Sequence, residues 1–302
     1  MNRSLRRVVA ACLGMVATAV AVPVAAQQGA DSGETLKKVR ERQAIYLGYA
    51  EDAIPFTFVG EGGGVRGYGW DLCGQVVQAV RETLGVPSVK VVAVPVTPTT
   101  RVLALRSGMI DVDCSGVAST PSRQRQVAFS PAVYVATVKV LVKSDSPVRT
   151  LADLDGKRVV TTLASGMERH VKTAAPLRGA NIDFASATSQ GEAMAMLGAG
   201  KADAFVLDDI PLAELKARLP DPAAYRWLEE NLAMEAHALA LPSGDEPFRQ
   251  LVERTIESLA KAGELERLYG RWFTSPALPG GVNLQLPMSP MLRDRLANPA
   301  KR

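Results

Sequence analysis

The sequence predicts an α/β protein built from two similar halves, and three observations carry that prediction. Strand-like and helix-like patterns alternate from Ala44 onward, the order that produces sheets flanked by helices. The run VKVVAVPV is continuously apolar, as expected of a parallel strand buried on both faces. A short pattern also recurs: Leu105-x-x-Gly108-x-x-Asp111 in the first half and Leu197-x-x-Gly200-x-x-Asp203 in the second. Each copy reads as a helix end, a glycine stop and the start of a strand. With 302 residues, 47% hydrophobic and 22% charged, the chain can bury a real core.

Residues 1–26 read as a secretory signal peptide. Arg3, Arg6 and Arg7 precede an apolar run that ends in small residues at Val24-Ala25-Ala26, and cleavage is expected after Ala26. The formal charge is +4; without those arginines Lys+Arg falls from 35 to 32 against 31 Asp+Glu, leaving about +1. So balanced a surface gives no reason to expect nucleic acid as a partner. The mature chain is expected to be exported, soluble and without a membrane span.

Next, TLKKVRERQ reads as a helix with Leu36 and Val39 inward, AIYLGY as a strand, and AEDAIPFTF as the loop leaving it. EGGGVRGYG is a turn. WDLCGQVVQAVRETLG is a helix with Leu72, Val76 and Val80 on one face, stopped at Gly85. From Arg101 to Gly108 a short helix is expected, then strand MIDVDC and a small-residue loop GVASTPS that delivers Arg123. The β-branched run AVYVATVKVLVKSD follows, with a crossover placed within Val133–Val140.

A second α/β unit comes after it. Its strands are KRVVTT, NIDFA and KADAFVLDD; its helices start near Met167, at SQGEAMAMLG and at IPLAELKARL. Strand AMEAHALALP returns to the first half, followed by a helix from Glu246, ELERLYGRWF and a proline-rich tail.

Cys73 and Cys114 remain in the mature chain, and pairing or two buried free thiols both suit the sequence. His170 and His237 are far apart in sequence and no Cys/His cluster exists, so neither a metal nor another cofactor is expected.

YAEDAIPFTF, GYGWDLC, the run from Arg101 to Ser130, LADLDGKRVV, FVLDD and LYGRWF follow one another in an order and spacing that resemble a known family. It is that of the periplasmic amino-acid-binding proteins of ABC transporters (bacterial extracellular solute-binding proteins, family 3), above all the glutamate/aspartate-binding branch. The resemblance implies the two-lobed type II periplasmic-binding-protein fold, with two mixed sheets flanked by helices and a two-crossover hinge. Lobe 1 would comprise residues 34–136 plus 238–302, and lobe 2 residues 137–237. It implies no catalytic residue and no cofactor. The expected partners are a polar amino acid and an inner-membrane ABC permease with ATPase subunits, served by a monomer.

The resemblance also implies a ligand set. Arg123 would grip the α-carboxylate, two parallel hydrogen bonds being what a guanidinium offers it. Asp208 would take the ammonium, with Asp209 as its rival. Ser165, before a helix, would touch the carboxylate from the second lobe. Arg101 is the retained arginine associated with side-chain carboxylates. Elsewhere the chain departs from the branch: Ala50 stands for an arginine, Gly116 and Ala118 for hydroxyl residues, and Gln190 for a histidine. The expected ligand is glutamate or aspartate, then glutamine or asparagine. An enzyme resembling the periplasmic dehydratases of prephenate and arogenate, which share the fold, is the alternative, with Glu51 and Asp208 as its acid–base candidates.

Overall fold

The computed structural model describes residues 33–163 and 166–297; the expected signal peptide and Ser165 lie outside the described residues. Helix α1 (Glu34–Arg42) buries Leu36 and Val39, and strand β1 (Ala44–Tyr49) follows. The stretch read as loop and turn holds three short antiparallel strands: β2 (Asp52–Ala53), β3 (Thr57–Val59) and β4 (Val65–Arg66). Two or three residues are too few to show an alternation, so no pattern announces them. Then come α2 (Tyr68–Leu84), β5 (Lys90–Pro95) and α3 (Arg101–Arg106). After these lie β6 (Val112–Ala118), α4 (Pro121–Gln124), β7 (Ala128–Phe129) and β8 (Tyr134–Lys143).

The second run comprises β9 (Arg158–Thr162), α5 (Met167–Ala174), β10 (Asp183–Ala187), α6 (Gln190–Gly198), β11 (Ala204–Asp208) and α7 (Asp209–Ala217). It closes with β12 (Tyr225–Trp227) and the returning β13 (Ala233–Leu241). Helices α8 (Glu246–Lys261), α9 (Glu264–Phe273) and α10 (Pro290–Ala297) end the described chain, none of them long and apolar enough to cross a membrane.

The larger strands form one mixed ladder in the order β10-β9-β11-β8-β13-β6-β1-β5. The two mixed sheets expected are therefore continuous, joined where β8 and β13 pair antiparallel from Val138↔Ala233 to Tyr134↔His237. Two cores flank that junction. One draws on residues before Val138, on Ile210 and Ala213, and on residues from Leu239 onward, and includes Tyr68, Phe248, Trp272 and Phe273; the other runs from Val138 to Leu228. Each large side chain buried this fully contributes about 1.5–3 kcal/mol. Helix α7 serves both, sending Ile210 and Ala213 into the first core and Leu212 into the second.

Two expectations need correction. VKVVAVPV does pair parallel with β1, but as an edge strand, so Val91 and Val92 keep 42% and 38% of their surface exposed. The loop GVASTPS is shorter than expected, because β6 continues to Ala118 under the pairing of β13.

The repeated Gly-x-x-Asp pattern has a common physical content. After a left-handed Gly108, Asp111 donates its N–H to Tyr46 O and accepts the Tyr46 N–H on Oδ2, both at 2.7 Å. After a left-handed Gly200, Asp203 makes the same reciprocal pair with Arg158, at 2.8 and 2.9 Å. In each half an aspartate thus locks a new strand to its parallel neighbour. Cys73 and Cys114 are joined in a disulfide that ties α2 to β6.

Candidate functional site

The C-terminal end of β6 leads directly into α4, whose start is built from Thr120 as cap and Pro121 in the first turn. This turn points Arg123 back along the strand, where its Nη1 donates to the Ala118 carbonyl at 3.0 Å. Arg123 remains partly exposed, so the rest of its fork is free to meet an anion. Gly116, two residues before Ala118, has φ 68°, and a Cβ there would stand 2.4 Å from the Phe56 ring. The ring of Phe56 occupies the space a hydroxyl side chain would need. That explains one departure from the expected pattern.

Arg101 is buried at the start of α3, with Nε 3.4 Å from Thr97 O and 3.6 Å from Asp113 Oδ2. Asp113 is itself fully buried; its Oδ1 accepts from Ser115 N at 2.9 Å and Ser115 Oγ at 2.5 Å, while Oδ2 accepts no hydrogen bond. Ala50, at the end of β1, is buried and exchanges backbone bonds with Thr57 Oγ1.

The two aspartates at the end of β11 have separate duties. Asp209 is buried and accepts the N–H and hydroxyl of Thr137 at 2.9 and 2.7 Å, with further bonds from Ile210 N and the Tyr134 hydroxyl. It fastens α7 to β8. Asp208 makes no such cap and is half-buried. Its carboxyl is pushed up by burial, then by the charges of Asp209 and Glu235, against a smaller opposing effect of His170. Gln190 opens α6 on the exposed surface, and no hydrogen bond joins it to the groups above. The position of Ser165 lies outside the described residues.

Sequence reasoning missed His237. It sits on β13 directly opposite Ala118 on one side and Tyr134 on the other. Its ring stacks on Phe56 at 5.8 Å and meets Tyr134 edge-on at 6.2 Å. Burial pushes its pKa below the usual histidine value, a hydrogen bond to the Gly116 backbone and the charge of Glu235 oppose this, and Arg123 and Arg101 reinforce it. A signal was present: Glu235 and His237 lie two apart in an otherwise small and apolar strand, so the period of two puts both on one face.

Arg123 thus follows the end of β6, level with His237 and Tyr134, and Asp208 ends β11, level with Val138, with β8 and β13 between them and Glu235 on β13. Such a distribution suits a zwitterion.

The bacterial extracellular solute-binding proteins, family 3, match this chain over residues 45–275. The L-glutamate/L-aspartate-binding protein of Pseudomonas aeruginosa is 34% identical over 288 residues, 94% of each chain. The glutamate/aspartate import solute-binding protein of Escherichia coli is 28% identical over 268 residues, 89% of each. A solved structure of an ancestral cationic amino acid solute-binding protein superposes with a TM-score of 0.63 at 28% identity, over 80% of this chain and all of the other. The chain belongs to the bacterial extracellular solute-binding proteins, family 3.

Proposed function

We propose that the chain is the periplasmic solute-binding component of an ABC importer, which captures a polar α-amino acid between two lobes and hands it to an inner-membrane permease with its ATPase subunits. The observation that carries this reading is that β6 ends at the level of Tyr134 with Arg123 just beyond it, while β11 ends at Asp208 at the level of Val138, which sets a guanidinium and a carboxylate at facing strand ends along β8 and β13. In this reading residues 34–136 with 238–302 form one lobe and residues 137–237 the other, in keeping with two cores that meet at the β8–β13 junction. The lobes close because ligand contacts favour the closed arrangement over the open one; capture needs no chemistry. The relatives are named as binding proteins, which favours capture over catalysis.

Arg123 grips the α-carboxylate, helped from the other lobe by Ser165, and Asp208 takes the ammonium. Arg101 faces the ligand side chain, with Gln190, Ala50, Gly116 and Ala118 lining the remainder. Glutamate and aspartate are the first-choice ligands because the relatives so named are 34% and 28% identical over 94% and 89% of the chain. Glutamine and asparagine come next, since Asp113 already balances the charge of Arg101. A thermal-shift panel of the twenty amino acids on ligand-stripped residues 27–302 tests the reading. A true ligand at a hundred times its Kd adds about 2.7 kcal/mol; a panel with no shift at all would sink it.

A further inference from the structure

We infer that Arg169 is a specificity-determining residue, its guanidinium meeting the side-chain carboxylate of an acidic ligand from the second lobe. This rests on the amino-acid-binding reading above and adds a residue outside the expected ligand set. Glutamate or aspartate carries two carboxylates and one ammonium. In the proposed set Arg123 meets the α-carboxylate and Asp208 the ammonium, while Asp113 stands 3.6 Å from Arg101 and offsets its charge. One ligand carboxylate is thus left without a net counter-charge, and neither Ala50 nor Gln190 supplies it.

The second lobe holds a cation in the right place. A cavity of about 420 Å³ opens between α5 and the ends of β9 and β10, where Thr162, Leu163, Gly166, Arg169, Lys172 and Ser186 line it. Lys172 is already engaged, its Nζ 2.5 Å from Glu168 Oε1 and over the Phe184 ring. Arg169 is exposed, and among the described residues its guanidinium makes no ion pair and no hydrogen bond. Its Nη2 lies 3.9 Å from where a Cβ on Gly166 would stand, so the side chain turns back toward the start of α5.

The strand register links this cavity to the ligand. β10, β9 and β11 are parallel neighbours in that order. Leu163 N donates to Ala187 O where β9 ends, and extending the β9–β11 register from Val160↔Phe205 brings Asp208 level with Leu163. Asp208 is therefore about one strand spacing, ~4.8 Å, to one side of the β9 end. The Arg169 cavity lies at that same end, on the β10 side. A ligand with its ammonium at Asp208, laid across the end of β9, presents its side chain to Arg169. Arg101 belongs to the first lobe and Arg169 to the second, so a side-chain carboxylate held by both favours the closed arrangement.

The test is calorimetry of L-glutamate and L-glutamine on the ligand-stripped wild type, Arg169→Gln and Arg169→Lys. Arg169 is exposed and glutamine is a good helix former, so both variants should fold with unchanged Tm. In Arg169→Gln the affinity for glutamate should fall roughly ten- to a hundred-fold while that for glutamine stays within threefold. Arg169→Lys keeps the charge and should recover part of the glutamate loss. Glutamate binding to Arg169→Gln as it binds to the wild type would mean a solvated surface arginine and overturn the proposal. Equal losses of glutamate and glutamine would overturn it too, since the residue would then act on groups that both ligands share. A wild type that binds glutamine and not glutamate sinks this inference and leaves the amino-acid reading standing. One that binds no amino acid sinks both.

Discussion

The Arg101 guanidinium and the Asp113 carboxylate stand 3.6 Å apart, Nε to Oδ2, and Asp113 has no exposed surface. Breaking a buried ion pair by removing one member strands the other charge. Arg101→Met should therefore destabilise the fold by about 3–5 kcal/mol, and adding Asp113→Asn should restore most of it. Denaturant unfolding of the two variants checks this; equal losses would mean the pair is not coupled. In the restored double variant, acidic ligands should lose more affinity than amides, because only the acids lose an ion pair. Equal losses of glutamate and glutamine would remove Arg101 from the specificity argument.

Arg123 is partly exposed and among the described residues its side chain makes one hydrogen bond, to the Ala118 carbonyl, so its removal should spare the fold. Arg123→Ala is expected to cost about 2–5 kcal/mol of binding, roughly 30- to several-thousand-fold in Kd. Asp208→Ala should act similarly through the ammonium. Calorimetry with both variants folded and within threefold of wild type would put the site elsewhere.

Asp208 also carries a pH signature. Its carboxyl is raised by burial, Asp209 and Glu235, so the folded protein binds the proton more tightly than the unfolded chain. Stability from this group is fully present below the ordinary carboxylate value and is lost as pH rises through the folded value. Asp208→Asn should then raise Tm at pH 7 while abolishing binding, and the gain should fade below about pH 4. A melting-temperature series across pH tests it; a gain that persists in acid would contradict the charge argument.

The Cys73–Cys114 bond closes a span of 41 residues. Losing a cross-link of that length should cost about 4 kcal/mol. The Cys73→Ser/Cys114→Ser protein should unfold at correspondingly lower denaturant, and thiol titration of unfolded residues 27–302 should find no free thiol before reduction.

Installing a hydroxyl at Gly116 should fail. Its positive φ opposes any side chain, and so does the Phe56 ring, 2.4 Å from where a Cβ would stand. Gly116→Ser is expected to lose about 1–3 kcal/mol or more. A serine variant as stable as wild type would show that Phe56 can move aside.

Long periodic elements are legible because burial imposes their spacing. Val76 and Val80 face the core of α2, and Leu36 and Val39 that of α1, as their spacing requires. β5 misleads because an apolar run reports composition and not the presence of a second neighbouring strand. The charged residues at the β6 and β11 ends are legible through the family pattern, whereas the duties of Asp208 and Asp209 are not. Only the placement of Thr137 and Tyr134 separates them. His237 escapes notice because its neighbours, Phe56, Ala118 and Gly116, come from segments more than a hundred residues away. Arg101 looks like a free cation for the same reason: its counter-charge sits on the next strand and not on its own helix.

The pairing of β8 with β13 and the make-up of the two cores set an order of assembly. The core running from Val138 to Leu228 is complete once those residues are present, with contacts of modest sequence separation. The other cannot close until Phe248, Trp272 and Phe273 reach Tyr68 and Phe56, 180 to 217 residues earlier in the chain (248 − 68 and 273 − 56). Contacts of such range form late, because the loop they close is long. The segment that begins the folded protein must therefore wait for the segment that ends it.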